Sequence, residues 1–522
     1  MYKGRKITKI FRILFSETLN KKQLAFGCAL ISVIIAGLWF VYSGYPSPDH
    51  GYWPDHPDRA IWMDASWRII QGQIPHRDFI SPIGSAWLYI NAIPFWILGL
   101  SYSVIPLAAA ISMTLLSLGI FPLMYMRSKS WLAALLAVWV MIALNINSIS
   151  LDYNSIALSL LVFVWLDAIS VPENSWRNWA WVSGGIISIL LFWKLNYAVF
   201  SLVLTILSIV MFKKNRYWFN SLILGFIFMT VVLISGIRGH IDLMIQNIQI
   251  PFMVKEIHIT FVSFWAAIKS QWGYTLLMGI CFITAWKSAS PRWPWLRPSF
   301  VGLGIVIGLI LIQSVLCLTN ASKWQAHAVP FMGLAAVIWL AGDCNCFYLK
   351  PSKMNIVIMA TVIAVMTTYS LTQIIQENET KCRARNIHQT SLVDQPMNYF
   401  SSVSDGLRLL NQQKEKGQRV LCMEYSNPFP SLLRWTSVKK DLLWWNHLDS
   451  FNKVHHPDIH SILYSTDLIM QPKWFVDDFR RDVYEQKWQL FESDIVADFQ
   501  VLAESTYWKI WGRRKINYDK QR

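Results

Sequence analysis

Charge is scarce in this chain. Asp, Glu, Lys and Arg make up only 15% of its 522 residues, and acids are the rarer sign, 31 against 47 bases. A soluble globular chain carries about a quarter of its residues as charges, so this scarcity excludes an ordinary soluble enzyme. Other absences narrow the field further. There is no Walker loop, no dinucleotide glycine motif and no zincin signature, which removes the nucleotide and zinc chemistries that depend on them. No internal repeat is present, so the chain is not a solenoid. Cysteine is sparse, with seven in all. Cys28, Cys281, Cys317, Cys344 and Cys346 lie in or beside apolar segments, where Cys acts as a small hydrophobe. Cys344-Asn345-Cys346 has no partner pair at zinc spacing. Cys382 and Cys422 fall in the polar C-terminal third and are open to pairing if that part is extracytoplasmic.

What is abundant is apolar. Hydrophobic residues reach 54%, with 28 Trp and 19 Tyr, and the mean hydropathy is +0.35. These values belong to a polytopic α-helical membrane protein, with aromatic rings for interfacial belts. The formal charge of +16 does not indicate nucleic acid, because the bases are scattered between apolar runs and form no single face. They order the topology instead, by the positive-inside rule.

The basic N-terminus MYKGRKITKIFRILF precedes an apolar run, Leu24–Val41, long enough to span and read as an uncleaved first helix with a cytoplasmic N-terminus. The basic short loops at Arg127 to Lys129, Arg177, Lys213 to Arg216, Lys287 to Arg297 and Lys350 to Lys353 all become cytoplasmic together if residues 84–100 do not cross. That stretch, GSAWLYINAIPFWILGL, reads as a helix lying in the outer interface. About eleven spans follow, near 24–43, 103–126, 131–147, 154–171, 179–194, 196–212, 217–236, 273–287, 300–319, 328–346 and 354–374. The organisation is thus a transmembrane domain over 1–374, with a first outer loop at 44–102, and a C-terminal soluble α/β domain over 375–522 on the outer face. A second outer segment covers 237–272. Within the C-terminal domain, Ser404–Lys416 is helix-like, and Gly417–Met423, Leu468–Met470 and Val501–Trp511 are strand candidates.

This topology gathers polar clusters on one side of the membrane. The densest is Pro57 to Gly84, which carries Asp58, Asp64, Arg68, His76, Arg77 and Asp78. Leu151-Asp152-Tyr153-Asn154, Lys194-Leu195-Asn196-Tyr197 and the run Ser322 to His327 are the others. Acids and bases converging at one interface suit a reaction on a lipid-linked anionic substrate, its tail in the bilayer and its phosphate at Lys, Arg or His.

At these residues the chain resembles a known family. Asp58, then Gly72, then Pro75-His76-Arg77-Asp78-Phe79 and Pro82-Ile83-Gly84 are similar to the first outer loop of GT-C glycosyltransferases. The branch resembled includes protein O-mannosyltransferases and the aminoarabinose transferase of lipid A. The family carries interfacial helices in this loop, and an acid in its second outer loop that Asp152 matches. The resemblance implies an inner-membrane enzyme that transfers a sugar from a polyprenyl-phosphate donor to a glycan, lipid or protein acceptor on the outer face. It implies Asp58 as base and Asp152 as a second acid. Asp49, Asp55 and Asp64 stand as alternatives to Asp58, because Arg59 follows it where many relatives have an acid or glycine. Arg77 and Asp78 join Lys194, Arg238, Lys323 and His327 as substrate-binding candidates, the cations to stabilise the leaving phosphate. These residues fix no cofactor, and a divalent ion shared by Asp58 and Asp152 is left open.

Plainer roles compete at each position. Asp58 is suited to cap a helix from about Arg59 to Gln71. Asp64 and Arg68 have i,i+4 spacing, which favours a structural pair. Asp78 is suited to fix a turn, Asp152 to cap the fourth span, and Lys194 and Lys323 to snorkel. A transporter or lipid flippase is the alternative function, but its polar residues belong mid-span, whereas these gather at span ends. A non-catalytic assembly or sensor protein is a third possibility, with the C-terminal domain binding a partner.

Overall fold

The computed structural model describes residues 57–101, isolated positions within 104–119 and 157–167, and residues 177–212, 216–238, 240–254, 399–416, 418–447, 450–475 and 477–514. The expected spans at 24–43, 131–147, 273–287, 300–319, 328–346 and 354–374 lie outside the described residues, and those at 103–126 and 154–171 lie largely outside them. The described residues fall into two compact units.

One unit is helical. It contains α3 (Arg177–Leu191), α4 (Leu195–Phe212) and most of α5 (Arg216–Gly236). Each forms where an apolar stretch is unbroken, and α3 and α5 each stop at a short turn. α5 has 21 residues and is long and apolar enough to cross a membrane. The bounds agree with the expected spans at 179–194, 196–212 and 217–236 to within three residues. α3 and α5 touch backbone to backbone. A Cβ on Gly184 would lie 1.9 Å from the Leu222 carbonyl oxygen, and one on Gly225 would lie 1.9 Å from that of Trp181. Small residues allow such approach in membrane helices. Ser188 and Thr230 hydroxyls pair across the same seam at 2.9 Å. Ser183 donates to the buried Asp167 carboxylate at 2.7 Å.

The other unit is discontinuous in sequence. It joins α1 (Pro57–Ile70), α2 (Ser85–Leu98), the end of α5 and α6 (Ile241–Val254) with residues 399–514. The latter build a four-stranded sheet in the order β1 (Val420–Cys422), β2 (Leu468–Pro472), β4 (Trp508–Arg513), β3 (Phe499–Glu504). β1 and β2 are parallel; β2–β4 and β4–β3 are antiparallel. The run at 501–511 is therefore a hairpin of two strands that turns at Ser505 to Tyr507. β1 is buried on both faces, which is why it reads as an unbroken apolar run. Val420 and Cys422 pack with Val403, Leu410, Phe429 and Trp508, under α7 (Tyr399–Gln412) and α8 (Phe429–Leu433). Leu421 and Met423 pack with Trp445, Val483, Phe491 and Ile495, under α9 (Ile459–Tyr464) and α10 (Asp478–Asp498). Cys422 is a buried free thiol, so the pairing open to it in the sequence is not formed.

Candidate functional site

The first loop is built from α1 outward. Pro57 opens α1 with its φ already suited to a helix and no N–H to leave unsatisfied. Asp58 is the second residue of α1 as described. Two turns further on, Asp64 and Arg68 pair with Nε to Oδ2 at 2.8 Å and no exposed surface. Arg68 also donates to the Val438 carbonyl at 2.6 Å and reaches Asp441 at 3.5 Å. Asp64 accepts from Ser437 at 3.3 Å. Burial pushes its carboxyl above the ordinary range, against the pull of Arg68. This acid is part of the architecture, as its spacing favoured.

Gly72 ends the helix at φ +82°, a backbone conformation that costs glycine little. The chain then folds into a tight turn. Asp78 Oδ2 accepts from the Ile74 N–H at 2.8 Å and the Asp78 N–H donates to the Ile74 carbonyl at 2.8 Å. Arg77 grips the same carboxylate with both arms, at 3.1 Å from Nε and 2.6 Å from the terminal nitrogen. Burial alone would raise the Asp78 carboxyl, but Arg77 and the Ile74 amide outweigh it and hold it low. The turn is pinned to residues 439–443. Lys440 donates its N–H to Asp78 O at 2.6 Å and its ammonium to Arg77 O at 2.8 Å. Across the same junction the Ile80 N–H donates to Asp441 O and the Leu443 N–H donates to Ile80 O, each at 2.9 Å.

His76, at φ +68°, is buried within the turn. Asn247 of α6 donates to its carbonyl at 3.3 Å and lies 3.4 Å from Nδ1, while Nε2 is enclosed with no partner among the described residues. Burial drives the imidazole down to about 3, so it is neutral. α2 packs on α1 through Asn91, which donates to Trp62 O at 3.1 Å and to Ser66 at 2.9 Å. Ile93, Trp96, Ile97 and Leu98 at its end are exposed.

Arg77, Asp78 and Arg238 come together around Tyr89. The Tyr89 hydroxyl donates to Gly236 O at 2.6 Å. Burial raises its pKa, opposed by the positive charges of Arg238 and Arg77. Arg238 is exposed, at φ +50°, in the turn between α5 and α6. Arg238 and Arg77 thus both act on Tyr89, and Arg77 is oriented by the Asp78 carboxylate. Lys194 lies in the other unit, in the turn between α3 and α4, with its ammonium 5.4 Å from the centre of the Tyr197 ring. Asp152, Lys323 and His327 lie outside the described residues. Among the described residues, no three His, Cys, Asp or Glu side chains meet to hold a metal ion. Sequence reasoning missed Tyr89, Asn247 and Asp441. Tyr89 sits in an apolar helix, and the other two act on partners remote in sequence.

No family model matches the chain, and no curated protein matches it. Among solved structures, the chain is similar to ArnT from Cupriavidus metallidurans bound to undecaprenyl phosphate, at 13% identity and a TM-score of 0.51. It is similar in the same way to the apo state, at 14% identity and a TM-score of 0.51. In each case 93% of this chain and 98% of the other are covered. At these identities the likeness is one of fold. The chain shares the fold of these two structures.

Proposed function

We propose that this chain is a membrane glycosyltransferase. It moves a sugar from a polyprenyl-phosphate donor to an acceptor hydroxyl on the extracytoplasmic face, by a single inverting displacement. The carrying observation is the fold shared along nearly the whole of both chains with a protein whose structure is bound to undecaprenyl phosphate. Asp58 takes the proton of the acceptor hydroxyl as that oxygen attacks the anomeric carbon. The bond from that carbon to the phosphate oxygen breaks on the opposite face. Polyprenyl phosphate leaves with the electron pair, met by cations drawn from Arg77, Arg238, Lys194, Lys323 and His327. Asp152 orients the acceptor or shares a divalent ion with Asp58. Asp78 holds Arg77 in position. The branch of the superfamily belongs to the same reading, with the N-terminus cytoplasmic and the C-terminal domain outside.

The test is a transfer assay on the purified chain in lipid, with a pool of polyprenyl-phosphate sugars and with Asp58→Asn and Asp152→Asn in parallel. Release of polyprenyl phosphate by the wild type, lost in a folded Asp58→Asn that still binds donor, is the expected result. No donor consumption in any condition would overturn the reading, and a fully active Asp58→Asn would move the base to another acid of the loop.

A further inference from the structure

The carboxyl end of the parallel pair β1–β2 carries polar groups that the first-loop chemistry does not use. Glu424, two residues past β1, is 3% exposed. No described donor reaches its carboxyl, and Oε2 is enclosed without a partner. Arg480, in the first turn of α10, is 7% exposed. One of its terminal nitrogens donates to Asp477 at 2.6 Å, while Nε is enclosed and has no partner among the described residues. Arg480 exerts the strongest attraction on the Glu424 charge, yet the two are too far apart to form an ion pair. A buried acceptor and a buried donor left unmade cost about 1–3 kcal/mol each. A group seated between them removes both penalties.

The surroundings are aromatic. The Arg480 guanidinium lies 5.7 Å from the Tyr425 ring centre. Phe479 meets Tyr425 edge-on at 6.2 Å, and His447 stacks against Phe479 at 5.4 Å. The position also has a topological logic. In open α/β sheets, ligands bind beyond the carboxyl ends of the parallel strands, here marked by Glu424.

We propose that Glu424, Arg480 and Tyr425 form a binding site for a neutral, hydroxyl-bearing ligand, the saccharide portion of an acceptor. A full anion would meet Glu424 and Asp477, and a full cation would meet Arg480 and Lys487, the charged groups that surround the position. A hydroxyl satisfies both sides, since it donates to Glu424 and accepts from Arg480 Nε. The carbon face of a sugar ring matches the apolar face of Tyr425. Only the identification of the saccharide as an acceptor rests on the glycosyltransferase reading.

Saturation-transfer NMR on the full chain in nanodiscs tests this with no donor present, using methyl α-D-mannopyranoside and methyl β-D-glucopyranoside as probes. At least one glycoside should receive saturation from the wild type, and the effect should fall at least five-fold in Glu424→Leu, which removes the acceptor and keeps most of the volume. Tyr425→Ala carries the same expectation should Glu424→Leu fail to fold. Saturation absent in the wild type, or unchanged in the folded variant, would overturn the site and leave solvent as the bridge. Donor turnover is read separately. Turnover without glycoside binding removes this site alone, and glycoside binding without turnover keeps the site and removes only the transferase reading.

Discussion

Arg68 and Asp64 form an ion pair that solvent does not reach, 2.8 Å from Nε to Oδ2 with both side chains fully buried. Asp441, 373 positions along the chain from Arg68, completes the group at 3.5 Å. The pair therefore fastens the first loop to the C-terminal segment within one unit. Arg68→Met would leave Asp64 and Asp441 buried with no cation between them. Removing one partner of a buried pair costs about 3–5 kcal/mol, and the full chain in detergent should melt correspondingly lower by tryptophan fluorescence. A melting temperature equal to wild type would show that the network carries no stability.

His76 makes the same unit sensitive to acid. Its pKa is about 3 when folded, against 6.5 for the free imidazole, so between those values the unfolded chain binds the extra proton. Stability then falls as pH drops below about 6.5, by up to about 1.4 kcal/mol per pH unit. Asn tolerates the left-handed backbone at this position, so His76→Asn should flatten the fall in melting temperature between pH 7 and pH 5. An unchanged slope would assign the acid sensitivity to other groups.

Glu424 has the opposite sign. Burial lifts its carboxyl to about 7 from 4.5, so the unfolded chain gives up this proton first. Stability is lost as pH rises from 4.5 through 7, at about 1.4 kcal/mol per pH unit. Glu424→Gln should therefore be more stable than wild type at pH 8 and nearly equal to it at pH 4.5. Equal melting temperatures at both pH values would contradict the buried, unpartnered carboxyl.

The seam between α3 and α5 admits no side chain at Gly184. In Gly184→Ala the new methyl would stand 1.9 Å from the Leu222 carbonyl oxygen, and backbone cannot swing aside as a flexible side chain would. Overpacking of this kind costs about 1–3 kcal/mol. Gly185→Ala is the control, since its nearest neighbour is 3.8 Å away. Folded yield and melting temperature should drop for the first variant alone.

Arg238 bears on the donor if the proposed reaction is correct. A hydrogen bond to a charged group is worth about 1.5–3 kcal/mol, so Arg238→Gln should raise the KM for a polyprenyl-phosphate sugar roughly tenfold or more. A KM equal to wild type would remove Arg238 from the donor site.

The legibility of this chain in its sequence follows the range of its interactions. α3, α4 and α5 were readable because each is an unbroken apolar stretch between polar turns. The Asp64–Arg68 pair was readable from its spacing on one helix face. Its third member was not, since nothing near Asp441 signals a partner in the first loop. α10 was overlooked for a local reason. Its buried stripe runs Val483, Lys487, Phe491, Ile495, and the lysine interrupts the apolar pattern that marks an amphipathic helix. Lys487 is tolerated there because its ammonium donates to the Cys422 carbonyl at 2.6 Å and lies 4.3 Å from the Trp445 ring centre. At the candidate site, the density of acids and bases between Asp58 and Asp78 was plain. The left-handed backbone of His76 and its support from Asn247 were not, because both depend on a helix some 170 residues away.

The split composition of the second unit also sets an order in time. α1 leaves the ribosome before Val438 and Asp441, which follow about 370 residues later. At ordinary elongation rates that interval is roughly 20 to 70 s. Throughout it Arg68 and Asp64 lack their partners Ser437, Val438 and Asp441, and this unit stays unfinished. A chain stalled before residue 438 should therefore present the first loop to proteases in a form that the completed protein never shows.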